Sequence, residues 1–226
     1  MVVLDGTIMK AIIFDMDGVL VDSMPDHAEA WKQAFATAGI EVEKREIYEL
    51  EGSNHMQTVD IIFRRSGRVP TEKDAEELSK RKIEIFNRIE KIMPFDGMRE
   101  LLADLAPVYR LAVVSGSNRK TVHDLMNKFF PGAFQFIITG DDVQKSKPDP
   151  EPYLMAVEKL HVPKSECIVI ENAPLGIRSA KSAGLRCIAV VAYLGRESLN
   201  EADVIVESHR ELLRAIQAEE HSSITM

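Results

Sequence analysis

The sequence predicts an α/β fold in which a parallel sheet is flanked by helices and a small all-helical domain is inserted near the start of the chain. Three observations carry this. Short apolar runs with no polar face, Ala11-Ile12-Ile13-Phe14 first among them, read as strands covered on both sides. From Gly97 onward such runs alternate with segments of helical spacing, the pattern of parallel strands joined by crossovers. Between 26 and 92, by contrast, helical pattern continues with no strand in it.

The first strand, 11–14, runs directly into Asp15-Met16-Asp17-Gly18, and ligands of parallel sheets bind beyond the carboxyl ends of the strands. Two carboxylates this close repel unless a cation lies between them or one holds a proton, and Mg2+ suits oxygen ligands. D-x-D-G alone is also a common strand-closing turn with solvated aspartates. Ala30, Trp31, Ala34, Phe35 and Ala38 then predict a helix over 26–38, ended by Gly39. Further helical pattern covers 42–50, 56–65 and 71–92, with Thr71 as N-cap ahead of Asp74. A helical insert placed straight behind a strand-end site suggests a separate small domain. The remainder reads as helix 98–105, strand 111–114, helix 119–129, strand 136–139, helix 152–160, strand 167–170, helix 175–183, and strands 187–191 and 204–206. A last helix, 208–218, precedes a polar tail expected to fray.

The 226 residues, 45% of them hydrophobic, suffice for a sizeable core. A formal net charge of −8 argues against nucleic acid or an anionic membrane as the main partner. Cys167 and Cys187 each open an apolar run and read as small buried hydrophobes rather than a disulfide or metal ligands. No segment is apolar for long enough to span a bilayer, and the first eight residues lack the basic start and apolar centre of a signal peptide. A reducing, cytoplasmic setting is therefore the default expectation.

Phe14-Asp15-Met16-Asp17-Gly18-Val19-Leu20-Val21-Asp22-Ser23 resembles the first motif of the haloacid dehalogenase superfamily, in its β-phosphoglucomutase-like and small phosphatase branch. Later motifs extend the resemblance from Met9 to about Val206. It implies a Rossmann-like core, 1–22 and 95–226, with a helical cap at 23–94 that swings on hinges at 21–25 and 93–97 and shuts water out of the site. Ser115-Gly116-Ser117-Asn118, by its residues either a phosphate-binding strand end or an ordinary helix cap, matches the second motif, with Ser115 as its phosphate-binding hydroxyl. Lys147, ahead of Pro148-Asp149-Pro150, would otherwise be a solvated lysine; the resemblance makes it the cation that balances the phosphoryl oxygens.

Glu171-Asn172 ends the apolar run 168–170 where family members carry Glu-Asp or Asp-Asp and complete a Mg2+ site with Asp15 and Asp17. Asn172 departs from that pattern: an amide oxygen can ligate Mg2+ but brings no charge. In the cap, Leu50-Glu51-Gly52-Ser53-Asn54-His55 matches a loop that faces the site and, in sugar-phosphate mutases, carries basic side chains for a remote phosphate. Here Glu51 holds one of those positions and His55 that of the loop arginine. The expectation is that Glu51 reaches the metal on closure and offsets Asn172, the alternative being a solvated helix-end carboxylate. His27 and Trp31 match a His-x-x-x-Trp element near the hinge, on one helical face; His27 acts on the protonation of Asp17 or makes a structural hydrogen bond, and Trp31 packs the cap base. Lys82 matches a substrate-contacting cap lysine, with surface exposure as the alternative.

The resemblance implies phosphoryl transfer with Asp15 as nucleophile and Asp17 as acid and then base, while Mg2+, Lys147 and Ser115 stabilise the phosphoryl oxygens. The net negative charge is compatible with a phosphate ligand because a metal and a few lysines dominate locally. The loop's lost basic residues favour a hydrolase of a compact substrate, pyrophosphate above all, with small sugar or acid phosphate monoesters open. A β-phosphoglucomutase-type mutase is the alternative, and a catalytically silent binding module, motivated by Asn172, the third reading. Expected partners are small phosphorylated compounds, without nucleic acid or membrane, and the chain is expected to be a monomer or weak dimer.

Overall fold

A computed structural model describes residues 3–4 and 7–221, and the side chains of 9–218; the expected frayed tail past 221 lies outside the described residues. The chain opens with a two-stranded antiparallel ribbon, β1 (Val3–Leu4) with β2 (Thr7–Ile8), which the pattern did not predict because two-residue strands carry no periodicity. Then follow β3 (Ala11–Phe14), β4 (Val21–Asp22) and four helices, α1 (Met24–Ala36), α2 (Lys44–Glu49), α3 (His55–Arg65) and α4 (Glu72–Ile89). β5 (Met93–Pro94) returns the chain to α5 (Met98–Leu105), β6 (Arg110–Val114), α6 (Arg119–Phe129), β7 (Phe136–Ile138) and α7 (Glu151–Leu160). It ends through β8 (Cys167–Glu171), α8 (Pro174–Ser182), β9 (Arg186–Val190), β10 (Val204–Val206) and α9 (Leu212–His221).

The six long-range strands form one sheet in the order β10-β9-β8-β3-β6-β7, every pair parallel. This is the predicted α/β Rossmann-like architecture. Its winding reverses around β3, since the chain leaves β3 for β6 and β7 and comes back to β8 on the other side, and that switch is where a doubly wound sheet opens a crevice for ligands. The register places Phe14 level with Val113 and Ile170, so Asp15, Ser115 and Glu171 leave the sheet at one edge. Alternation sorts the strands into two apolar layers. Ile12, Phe14, Val113, Ile168 and Ile170 face a cluster that continues into α1–α4 through Trp31, Phe35 and Phe63, while Ile13, Val114, Val169 and both cysteines face α7 and α8. Cys167 and Cys187 are free and buried, as expected.

The helical stretch is an insert between β4 and β5, and these two strands pair antiparallel, Val21 with Pro94 and Asp22 with Met93. Turns were expected at both crossings, and a short ribbon is found because both strands of chain run past the same edge. α4 stops at Ile89, three residues early, where Glu90 turns extended at ψ 133°. Its start is as predicted: the Thr71 hydroxyl accepts from the Asp74 N–H and the Asp74 carboxylate accepts from the Thr71 N–H, satisfying two otherwise orphaned donors. The final helix begins at Leu212 behind a single 3₁₀ turn rather than at 208. Among the described residues no helix is long and apolar enough to cross a membrane.

Candidate active site

Strand ends supply the floor. Lys147 is 1% exposed and its ammonium donates to Asp15 Oδ1 at 2.6 Å, Glu171 Oε1 at 2.8 Å and the Val114 carbonyl at 3.3 Å, which uses all three of its protons. Burial opposes its charge, but Asp15 and Glu171 outweigh that and push its pKa upward. Glu171 is equally engaged. Its Oε1 also accepts from the Tyr153 hydroxyl at 2.8 Å, and its Oε2 accepts the N–H groups of Asn172 and Ala173, so all four acceptor positions of the carboxylate are filled. Glu171, expected beside a metal, is in this structure the counter-ion of Lys147.

Asp17 stands in a nest of donors. Its Oδ1 accepts from Ser23 Oγ at 2.5 Å, and its Oδ2 from Ser115 and Ser117 Oγ, both at 3.2 Å. Burial pushes its carboxyl up, but His27 and the hydroxyls together outweigh burial and hold it at about 2. His27 Nδ1 lies 2.8 Å from Lys82 Nζ and its Nε2 3.4 Å from Asp17 Oδ1. An ammonium only donates, so Nδ1 is the acceptor and the ring proton sits on Nε2, facing Asp17.

The insert supplies the roof. Asn54 caps α3 by accepting from the Gln57 N–H, which turns the preceding loop toward the sheet. Ser146 Oγ ties that loop down, donating to Gln57 Oε1 and accepting from the Asn54 N–H at 3.2 Å. Glu51 is 8% exposed, and both its oxygens accept from Asn172 Nδ2, at 3.1 and 2.9 Å. Burial, then the charges of Asp15 and Glu171, push the Glu51 carboxyl well upward. Gly18 makes room beneath: at φ +85° a side chain there would be strained, and its Cβ would run into the Asn172 amide. Lys82 is 3% exposed, lies 4.7 Å from the Phe86 ring centre and 3.5 Å from His55 Nε2, and is lowered by burial to about 8. Burial and then Lys82 hold His55 at about 3, so both histidines near Lys82 are neutral at pH 7.

Between floor and roof is a cavity of about 50 Å³ lined by Asp15, Asp17, His27, Glu51, His55 and Lys82. Trp31, expected purely in packing, also lines it and meets His55 edge-on at 5.3 Å. The donor set fits a hard cation. Asp15 Oδ2 and Asn172 Oδ1 are buried oxygens without a partner, and four buried carboxylates, Asp15, Asp17, Glu51 and Glu171, face only two buried ammonium groups, Lys147 and Lys82. Among the described residues no three acid, histidine or cysteine side chains form a ready metal cage, so the amide of Asn172 is needed to complete one.

The structure thus gathers Asp15, Asp17, Ser117, Glu51, His27, His55 and Lys82 around one space, with Gly52 and Gly116 in contact at its rim; Ser115, Lys147 and Asn172 stand behind it on Asp17, Asp15 and Glu51, and Glu171 behind Lys147. Of the surface alternatives weighed for Glu51 and Lys82, neither holds, because both are buried. Sequence reading missed Ser23, Ser146 and Tyr153. Tyr153 carried a usable signal, a lone tyrosine on the buried face of α7 whose hydroxyl has to find a partner; the other two are single serines with no pattern.

A family model for haloacid dehalogenase-like hydrolases matches residues 12–190. The chain belongs to this family. Validoxylamine A 7'-phosphate phosphatase of Streptomyces hygroscopicus subsp. limoneus is 31% identical over 90% of this chain and 95% of its own. β-Phosphoglucomutase of Bacillus subtilis is 30% identical over 94% and 95% respectively. Among solved structures, the β-phosphoglucomutase of Clostridium difficile superposes with a TM-score of 0.83 at 27% identity, covering 97% of this chain and all of that one. This haloacid dehalogenase-like hydrolase therefore resembles phosphatases and mutases alike over nine tenths or more of its length.

Proposed function

We propose that this chain is a Mg2+-dependent phosphohydrolase that acts through a phosphorylated Asp15 on small phosphate compounds, pyrophosphate foremost, with residues 23–94 as a cap over a core of 1–22 and 95–226. One observation carries the reading: the cap carboxylate Glu51 rests on Asn172, at the place where a second core acid is expected. A buried carboxylate there takes the position from which basic side chains would hold a remote sugar phosphate, and leaves that phosphate without its partner. The space left, about 50 Å³, suits a compact anion. Small sugar phosphates are the second substrate class, supported by the names of the matched relatives.

Asp15 is the carboxylate that attacks phosphorus, and Lys147, donating to its Oδ1, holds the side chain in line. Ser115 and Ser117 offer hydroxyls at the rim. Asp15, Asn172 and Glu51 would hold the Mg2+, whose chemistry when bound is to neutralise phosphoryl oxygens. Asp17, held low, is an ionised carboxylate suited to taking the proton of the water that attacks the phosphorylated Asp15. Phosphate departs as a stable anion and needs little help from an acid, whereas a sugar alkoxide needs a proton, and this too favours pyrophosphate. Lys82 supplies the cap's positive charge toward the far phosphoryl group.

Phosphate release from pyrophosphate, glucose 6-phosphate and β-glucose 1-phosphate, with and without Mg2+, tests the reading. Pyrophosphate should give the highest kcat/KM, and Asp15→Asn should abolish it by about 10⁴-fold or more. Interconversion of the two glucose phosphates without net phosphate release would establish a mutase instead.

A further inference from the structure

The site's rim contains a column of backbone that the mechanism does not use. Gly52 of the cap loop lies on the stem of Lys147, where a Cβ would meet Lys147 Cδ at 2.8 Å. Gly116 lies on Gly52: a Cβ at Gly116 would stand 2.9 Å from the Gly52 carbonyl oxygen and 3.2 Å from its carbon. Gly140, after β7, backs Gly116 in turn, since its Cβ would lie 2.5 Å from the Gly116 carbonyl oxygen. Gly116 therefore cannot retreat from the cap loop, and the loop cannot sink further than Lys147 allows. The residue before Gly52 is Glu51, whose carboxylate sits on Asn172 at 2.9 Å, so any displacement of Gly52 is carried straight to that contact.

We propose that the Gly52–Gly116 backbone contact is a spacer that sets how deeply the cap seats, and thereby determines specificity for a compact diphosphate over larger phosphate esters. It rests on the pyrophosphate reading above and identifies what makes that reading sterically possible. Gly116, unlike Gly52, has no left-handed φ, so alanine suits its backbone, and the added methyl acts only against the cap loop. A methyl there lifts the loop by several tenths of an ångström, draws Glu51 off Asn172 and enlarges the space beneath.

The test compares wild type with Gly116→Ala, checked by thermal melting; a variant that does not fold overturns the claim that the loop lifts to make room. kcat/KM is measured for pyrophosphate and glucose 6-phosphate, and hydrogen exchange of segment 51–55 is followed with Mg2+ and inorganic phosphate. The expected result is a fall in the pyrophosphate-to-glucose 6-phosphate ratio of about tenfold or more, because misplacement on this scale is costly to a positioned group, together with lost protection of 51–55. An unchanged ratio in a variant of an active wild-type pyrophosphatase overturns the spacer and leaves the function standing. If wild type does not cleave pyrophosphate, the function fails, and the exchange measurement decides the spacer alone: equal protection of 51–55 in both proteins overturns it.

Discussion

On the sheet side of the site, Lys147 gives all three of its protons to Asp15, Glu171 and the Val114 carbonyl. On the cap side, Lys82 has a neutral histidine, aromatic faces and, among the described residues, no carboxylate in ion-pair contact. Both ammonium groups are buried, yet one is raised and the other lowered. The difference shows how the two walls are built. The ends of β3 and β8 and the loop after β7 deliver opposite charges to one edge, where each satisfies the other, whereas the insert brings Lys82 to a place where its partners are neutral.

Breaking the sheet-side network should have the largest effect. Lys147→Met leaves Asp15 and Glu171 buried without their cation, which costs about 3–5 kcal/mol in urea unfolding and abolishes phosphate release. A stability unchanged within error would mean that this wall is not organised by charge. Glu51→Gln comes next. It keeps the shape and removes the negative charge, so kcat/KM for pyrophosphate should fall about 10–100-fold. Burial pushes the Glu51 carboxyl up and a cation beside it pulls it down; calorimetry in buffers of different ionisation heat should show Mg2+ binding releasing more protons in wild type than in Glu51→Gln.

Lys82 sharpens the contrast through pH. Its folded pKa of about 8 lies below the ordinary 10.5, so between these values the unfolded chain binds more protons and stability rises with pH. Lys82→Met should remove that rise and gain about 1–3 kcal/mol at pH 7. Pyrophosphate affinity should move the opposite way, with KM climbing above pH 8 in wild type and staying flat in the variant. The smallest effect belongs to the tie between the walls. Ser146→Ala removes the hydroxyl shared by Asn54 and Gln57 and should weaken cap seating by about 0.5–1.5 kcal/mol, read as a higher KM with kcat nearly unchanged.

Much of this was legible in the chain. The apolar run 11–14 and its relatives announced the sheet because strands buried on both faces need continuous hydrophobicity; Asp15 and Glu171 stood out because each closes such a run, whereas Ser115 and Lys147 were singled out by the family resemblance, their residues alone allowing a helix cap and a solvated lysine. The contact of Glu171 with Lys147 was not legible, because a carboxylate at a strand end looks the same in sequence whether or not a lysine meets it; of the groups that fill its other lone pairs, the Tyr153 hydroxyl comes from α7 and the two N–H groups from the next two residues. The ribbon of β4 and β5 escaped because pairing over two residues leaves no period to detect.

Sequence by itself determined the sheet, the carboxylates that close its strands at Asp15 and Glu171, and the helical insert, since local periodicity and the abrupt change from apolar to polar residues are properties of neighbours along the chain. Tertiary structure alone decided that Glu51 lies on Asn172, that Lys82 is buried beside His27, and that Gly52 meets Gly116 backbone to backbone. These contacts join residues 55 to 121 positions apart, and whether a charged side chain at such a distance ends in water or in a pocket depends on what the rest of the fold places opposite it.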